Sequence, residues 1–351
     1  MLSQAAADKS RPAFVMIGGD LVNDGSSQEE WDRFLTAAEP VRKKLRLYPA
    51  MGNHDNTALF KQIFELPENG PEGRQEAFYS FDYGDAHFTV MDSNLMGAAS
   101  QEDIKWLEQD LAQTNKTYRI VMFHHPAYPA VDIPKDSQRA DVIQKNFVPV
   151  MEKAGVDLVL CGHQHVYMRT HPLKNGRRNG EGIVYLMGYS GGKQYSPGAY
   201  DYAACSMGGQ PVYSIITVNA QGIAIKTMDS SGQVLDFTGA PDISAEQQDL
   251  IITIKGDGIQ GEKKFTMEEL AAQPEAGFQH VYSTINNWPT ARFYAVRGIT
   301  VRSILQAAGV LGTARAITFR SDDSYEMSFT REQLLDTPQY YYPRVKEGAE
   351  E

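Results

Sequence analysis

Short apolar runs alternate with amphipathic segments through the first two thirds of the chain. Four of these runs, at 13–17, 45–51, 118–123 and 156–161, predict buried strands. Capping residues and helical periodicity between them predict helices at about 26–44, 100–111 and 138–153. Further strands are predicted at 78–82, 87–91, 183–188, 211–218 and 221–228, the first two as an antiparallel hairpin. Strands alternating with helices predict an α/β fold with added antiparallel strands.

The four apolar runs share one further feature, a residue of metal-ligand type just beyond the end of each. These residues are Asp20, Asn53, His124 and His163. Ligand sites of α/β sheets form beyond the carboxyl ends of the strands. We therefore expect the four side chains to meet at one edge of the central sheet.

A carboxylate, an amide oxygen and imidazoles, without cysteine, suit Mn, Fe or Zn better than Ca or Mg alone. Asp20 could bridge two ions about 3.5–4 Å apart, the spacing of two-metal hydrolases. His163 and His165 could reach two different ions from a loop. His54 offers a proton donor, and the neighbouring Asp55 offers a carboxylate that could hold its imidazole in place.

The composition narrows the class of protein. A net charge of −11 with no basic stripe disfavours nucleic-acid binding. Two cysteines, Cys161 and Cys205, provide neither a disulfide framework nor a thiolate metal cluster. The uncharged run at 202–225 contains Pro211 and divides into two strands near Asn219, so we predict no transmembrane segment.

The polar stretch at 238–242 predicts a boundary between a domain over 1–238 and a smaller one over 239–351. The carboxyl-terminal part predicts a small α+β domain. Its elements are expected as strands near 250–255, 280–285, 291–297, 316–320 and 325–329 and helices at 301–308 and from Thr266 and Thr330.

Four motifs in order carry a resemblance to a known family. They are Gly19-Asp20 with Gly25, Gly52-Asn53-His54-Asp55, His124-His125-Pro126 and Gly162-His163-Gln164-His165. Over about 12–230 they resemble motifs two to five of the calcineurin-like metallophosphoesterases. Within that superfamily the chain is most similar to the purple acid phosphatase branch, on segments 79–88, 106–111, 162–169 and 188–192.

The resemblance implies a metallophosphoesterase α/β/β/α sandwich and a role for each motif residue. Asp20 would bridge two divalent metals, Mn, Fe or Zn. Asn53, His124 and His163 would complete one metal site, and His165 would belong to the other. His54 would stabilise the transition state or protonate the leaving oxygen, with Asp55 orienting it.

Two departures from the family pattern are visible. The first motif, an Asp-x-His whose residues ligate the same metal as His165, has no counterpart before residue 12. The sandwich is therefore expected to lack its first strand, and the chain to supply one complete metal site and half of another. Asn23 stands where purple acid phosphatases carry the iron-binding tyrosine, so we expect no iron–tyrosinate colour.

The implied function is hydrolysis of a small phosphate ester by a metal-bound hydroxide at a dinuclear site, outside the cell or at its surface. The half-supplied second site leaves open whether this chain is impaired. The alternative is a non-catalytic binding or scaffold protein that keeps the fold.

Two further residues near the motifs are candidates for binding substrate. Because Pro126 fixes the turn around His124, we expect His125 on the substrate side or behind the ligands rather than among them. Arg169 could contact phosphate or form a structural ion pair, and both interpretations stay open.

The carboxyl-terminal segment 298–309, followed by 317–325, weakly resembles the molybdopterin-binding domain of sulfite-oxidase-type enzymes. That family binds molybdenum through a cysteine, and 242–351 contains none. We therefore expect a binding or packing module without the cofactor.

Overall fold

A computed structural model describes residues 1–94, 99–220, 222–239, 251–266, 269–270, 277–284, 292–310, 312–320 and 326–333. The chain divides into two compact units, Met1–Pro241 and Asp242–Glu351.

The helices of the first unit lie mostly between strands, as an α/β fold requires. They are α1 (Leu2–Ala6), α2 (Gln28–Arg42), α3 (Ala58–Ile63), α4 (Gln101–Gln113), α5 (Pro134–Asn146) and α6 (Val148–Lys153). Across the described parts of the chain, every helix is too short or too polar to cross a lipid bilayer.

The strands of the first unit form a central sheet and smaller ones. They are β1 (Phe14–Ile17), β2 (Arg46–Pro49), β3 (Tyr79–Tyr83), β4 (Ala86–Val90), β5 (Tyr118–Met122), β6 (Leu158–Cys161), β7 (Tyr167–Thr170), β8 (Leu173–Lys174), β9 (Arg177–Arg178), β10 (Val184–Met187), β11 (Ala203–Met207), β12 (Val212–Asn219), β13 (Gly222–Asp229) and β14 (Val234–Thr238).

The central sheet has the order β11-β7-β10-β6-β5-β4-β3. Its middle strands β4, β5, β6 and β10 pair in parallel, whereas β3, β7 and β11 pair antiparallel. β1 and β2 form a separate parallel pair, and β12, β13 and β14 form an antiparallel sheet. The predicted α/β class with added antiparallel strands is confirmed.

Aromatic packing joins the β1–β2 pair to the central sheet. The Phe14 ring contacts Phe81 and Phe88 edge to face, with centroids 5.5 and 5.2 Å apart. Every residue of β4 and β6 is buried, which is characteristic of parallel strands covered on both faces. This packing fixes the ends of β1 and β2 relative to the ends of β5 and β6.

The helix expected at 138–153 is instead two helices, α5 and α6, which meet at Phe147. Pro149 lies in the first turn of α6, where its missing N–H costs no hydrogen bond. Pro134 opens α5 in the same way, earlier than the apolar spacing indicated. Apolar periodicity does not mark these helix starts, which the two prolines set.

The second unit contains the strand pairs β15 (Ile251–Ile254) with β16 (Lys263–Thr266), β17 (Gly277–Thr284) with β18 (Arg292–Ile299), and β19 (Ala316–Arg320) with β20 (Glu326–Thr330). Its helix α7 (Val301–Ala308) has the predicted bounds, with Thr300 as cap. Thr266 and Thr330 form the hydrogen bonds of capping boxes, and most of the helix expected after each of them lies outside the described residues. The weak molybdopterin-domain resemblance stays a prediction.

His87 on β4 lies between two carboxylates, as befits a structural histidine. Its Nδ1 is 2.7 Å from Asp82 Oδ1 and its Nε2 is 3.0 Å from Asp110 Oδ2. Burial acts to lower the pKa of His87, but the hydrogen bonds and charges of Asp110 and Asp82 outweigh it and raise the pKa above the ordinary 6.5.

We expect this histidine to make folding stability depend on pH. Because the folded-state pKa is raised, its contribution is fully present below about pH 6.5 and is lost as pH rises through the raised value. His87→Asn should therefore lower the free energy of unfolding by roughly 1.5–3 kcal/mol at pH 5.5 and by less at pH 9. Urea unfolding of both proteins at the two pH values measures this, and an equal loss at both would contradict it.

Candidate metal centre

The four residues predicted at the strand ends lie together. His124 Nε2 is 3.2 Å from Asp20 Oδ2, 3.2 Å from Asn53 Oδ1 and 3.2 Å from His163 Nδ1. Asp20 follows β1, Asn53 follows β2, His124 follows β5 and His163 follows β6. Each of these four strands therefore places one side chain of metal-ligand type around His124 Nε2.

Two glycines permit this close approach. A Cβ on Gly19 would lie 2.5 Å from His124 Nδ1, and the backbone there has φ +94°. A Cβ on Gly52 would lie 2.3 Å from both N and Oδ1 of Asp20. Only glycine fits at either position, which explains why glycine stands beside the donor residues.

Three site residues adopt a backbone conformation that is uncommon for residues other than glycine. The φ angles are 55° at Asp20, 73° at His163 and 43° at His165. Such strain persists only where surrounding structure enforces it, and it concentrates at functional sites. This backbone conformation turns the three side chains in directions that they would not take in a regular strand.

Backbone hydrogen bonds orient two of the donors. His124 Nδ1 is 2.6 Å from the Gly18 carbonyl oxygen, so Nδ1 carries the proton and donates this hydrogen bond. The lone pair of Nε2 therefore faces the nearby atoms of Asp20, Asn53 and His163. The N–H of His54 donates to Asp20 Oδ1 at 3.0 Å. Burial acts to raise the pKa of Asp20, but the adjacent His124 and His54 outweigh burial and lower that pKa below its ordinary value.

The three atoms around His124 Nε2 are spaced from it as ligands of one divalent ion are spaced from each other. Donor atoms about 2.0–2.2 Å from one ion, at tetrahedral or octahedral angles, lie about 3.0–3.5 Å from one another. The three 3.2 Å separations around His124 Nε2 fall within that range. Two imidazole nitrogens, one carboxylate and one amide oxygen match the ligand preferences of Mn, Fe and Zn.

His125 is a third imidazole beside this group. Ligand atoms of His124, His125 and His163 lie within 4.8 Å of one another, and these residues could hold a metal ion. His125 Nδ1 is 3.0 Å from Ser93 Oγ, whereas the buried Nε2 has no hydrogen-bond partner. Burial, together with the charges of His124 and His163, lowers the pKa of His125 to about 2, so its ring is neutral.

His165 is held by a different set of contacts. Its ring stacks on Tyr189 at a centroid distance of 5.0 Å and lies beside Tyr195 at 5.3 Å. Its Nδ1 is buried without a hydrogen-bond partner. Burial and the Lys193 charge lower the pKa of His165, which leaves a neutral imidazole able to bind a metal.

The expected pairing of Asp55 with His54 is wrong. The carboxylate of Asp55 is fully buried and accepts hydrogen bonds from the N–H groups of Leu21, at 2.8 Å, and Gly52. Burial raises the pKa of Asp55 to about 6. Asp55 therefore ties two site loops together, while the exposed His54 places its Nδ1 2.7 Å from the Asn23 carbonyl oxygen.

Arg169 forms the structural ion pair that the sequence left open. Its Nε and one terminal nitrogen donate to the two oxygens of Asp236 at 2.7 and 3.0 Å. The Tyr167 hydroxyl donates to the same carboxylate at 2.6 Å. The guanidinium therefore links β7 to β14.

Arg169→Met should destabilise the fold rather than weaken substrate binding. It leaves the buried carboxylate of Asp236 without its counter-charge, at a cost of roughly 3–5 kcal/mol. Urea unfolding measures the loss, and Asp236→Leu in the same chain should restore part of it. A raised KM with unchanged stability would instead assign Arg169 to phosphate.

Asp136, in the first turn of α5, is a site residue that the sequence analysis missed. Its Oδ1 is 2.9 Å from His163 Nε2, on the side of the ring opposite the other donors. Acidic residues are common in the first turn of a helix, so nothing in the sequence singles out Asp136. Its contact with His163 is visible only in the folded structure.

Known proteins resemble this chain in sequence. Residues 1–167 match the family model described as calcineurin-like phosphoesterase. Purple acid phosphatase 18 of Arabidopsis thaliana is 24% identical over 199 residues, which cover 53% of this chain and 45% of that protein. The glycerophosphodiester phosphodiesterase GpdQ of Enterobacter lignolyticus is 28% identical over 171 residues, covering 47% of this chain and 60% of that protein.

Among solved structures, a purple acid phosphatase from yellow lupin (Lupinus luteus) seeds has the same fold. It superposes with a TM-score of 0.53 at 18% identity, over 67% of this chain and 48% of its own. The chain thus spans about half the length of the phosphatases it resembles.

Proposed function

We propose that this chain, which carries a calcineurin-like metallophosphoesterase domain with purple acid phosphatase homologues, hydrolyses phosphate esters with a divalent ion held by Asp20, Asn53, His124 and His163. One observation carries the proposal: donor atoms of Asp20, Asn53 and His163 each lie 3.2 Å from His124 Nε2. Enzymes of this family use divalent metals, and the donor set found here suits them.

A divalent ion supplies Lewis-acid activation of water and neutralises the charge that develops on the phosphoryl oxygens. The chain's own contribution is to fix the donors. Gly18 orients His124, the His54 amide orients Asp20, and the positive φ angles of Asp20 and His163 direct those two side chains from the strand ends. Such preorganisation means that little rearrangement is needed when charge develops.

A second ion position would use Asp20 and His165. Burial and the Lys193 charge lower the pKa of His165, and the opposing charge of Asp20 only partly offsets them. The unpartnered Nδ1 of His165 is the kind of buried nitrogen that a ligand completes. We propose that Asp20 and His165 supply part of this second ion site, which would hold Mn, Fe or Zn.

His54 is the proposed proton donor to the leaving oxygen. The Asn23 carbonyl accepts from Nδ1–H, so the protonated ring would present Nε2–H to the leaving oxygen of a substrate beside Asp20 and become neutral on giving up that proton. The exposure of His54 leaves room for an incoming ester, whereas the buried Asp55 acts through the loops it joins.

Metal depletion and reloading test the proposal. Protein stripped with a chelator should hydrolyse neither an aryl phosphate monoester nor an aryl phosphate diester, and Mn, Fe or Zn should restore at least one activity. Elemental analysis of the reloaded protein should find one or two ions per chain. Bound ions without hydrolysis of either ester, or no bound ion at all, would favour a binding or scaffold role instead.

A further inference from the structure

We infer that Asp136 is a positioning residue that selects which nitrogen of His163 faces the metal. This inference rests on the proposed function, because it treats His163 as a ligand. It concerns a residue outside the motifs, on α5, that reaches the centre only through the imidazole.

The geometry is that of a carboxylate holding the outer side of a ligand histidine. Asp136 Oδ1 lies 2.9 Å from His163 Nε2, and the Asp136 side chain is 4% exposed. On the inner side, His163 Nδ1 lies 3.2 Å from His124 Nε2. The ring therefore stands between Asp136 and the donor cluster, with one nitrogen on each side.

The second oxygen of Asp136 is fixed as well. Gln164 Nε2 donates to Asp136 Oδ2 at 2.8 Å, and Gln164 Oε1 accepts from the N–H groups of Ala130 and Val131 at 2.6 and 2.9 Å. Gln164 is fully buried. The residue between the two motif histidines thus locks the carboxylate in place, which gives the Gln of Gly162-His163-Gln164-His165 a physical role.

The hydrogen bond decides the tautomer of His163. An ionised carboxylate only accepts, so Nε2 must carry the proton and Nδ1 keeps its lone pair toward the cluster. Without Asp136 the neutral ring is free to protonate at Nδ1, and that form cannot bind an ion from the same position. Outer partners of this kind typically change metal affinity 10–100-fold.

The test compares Asp136→Ala and Asp136→Asn with a matched control, Asp103→Ala. Asp103 is the third residue of α4 as Asp136 is of α5, and it is likewise buried and paired, but its partner is Arg74. Imidazole ¹⁵N chemical shifts in metal-free protein report the His163 tautomer, and competition with a chelating dye reports Mn and Zn affinity.

We expect wild type and Asp103→Ala to show the Nε2–H tautomer, and Asp136→Ala to lose it and bind metal roughly 10–100-fold more weakly. Asp136→Asn, whose amide oxygen can still accept, should lie between them. Unchanged tautomer and affinity in Asp136→Ala, or an equal loss of affinity in Asp103→Ala, would overturn the inference. Failure of wild type to bind metal would overturn the proposed function, while the tautomer measurement would still be readable.

Discussion

Replacing His124 by alanine should abolish hydrolysis of both aryl phosphate esters and weaken metal binding by more than roughly 100-fold. His124 Nε2 is the one atom that lies 3.2 Å from donors on Asp20, Asn53 and His163, so its removal opens the middle of the donor set. Loss of a direct ligand should exceed the 10–100-fold effect typical of an outer partner. Dye competition with Mn or Zn, with turnover of the reloaded variant, measures both effects.

His124 is fully buried, so its loss also carries a risk to folding. Asn53→Ala covers that risk, because Asn53 is exposed and its side chain reaches the same cluster. This variant should keep the wild-type melting temperature and still bind metal at least about 10-fold more weakly. His171→Ala removes an imidazole beyond β7 and should change neither quantity. Wild-type metal affinity in both His124→Ala and Asn53→Ala would refute the assignment.

His54→Ala should lower kcat by roughly 10²–10⁴-fold while leaving metal content and melting temperature unchanged. The side chain is exposed and lies outside the four-donor set, so its removal takes away a proton donor without disturbing the ion or the core. Steady-state kinetics of the reloaded variant with a poor and a good leaving group give the most direct measurement. The loss should be larger for the poor leaving group, which needs protonation more.

Asn56→Ala is the matched control for His54, because it changes an exposed residue of the same loop. It should retain wild-type kcat within a factor of about three. An equal loss of activity for both leaving groups in His54→Ala would assign the side chain to charge stabilisation rather than proton donation. Unchanged kcat would remove His54 from the chemistry altogether.

The strand-end donors were predictable because one rule connects sequence to space. Asp20 and His124 are separated by about a hundred residues, yet both follow apolar runs, and the carboxyl ends of the β1–β2 pair meet those of β5 and β6 although the pair is not part of the central sheet. The helix at 301–308 was predictable for local reasons, a Thr300 cap and a Gly309 end. In the first case the geometry of strand ends decides the position, and in the second case the capping residues decide the helix bounds.

Contacts between motifs were not predictable in the same way. Asp55 follows His54 directly, which suggested a pair, but the loop turns the carboxylate inward to the amides of Leu21 and Gly52. Asp136 belongs to none of the motifs and meets His163, 27 residues further along the chain, only through the packing of α5. Adjacent residues on an irregular loop share no common direction, so sequence proximity carries little information there.

Anomalous diffraction from crystals soaked in Mn or Zn would locate the ion itself. We expect a metal peak at about 2.0–2.2 Å from one oxygen of Asp20, Asn53 Oδ1, His124 Nε2 and His163 Nδ1. A peak bound by His124, His125 and His163 without Asp20 and Asn53, or no peak near His124, would contradict it.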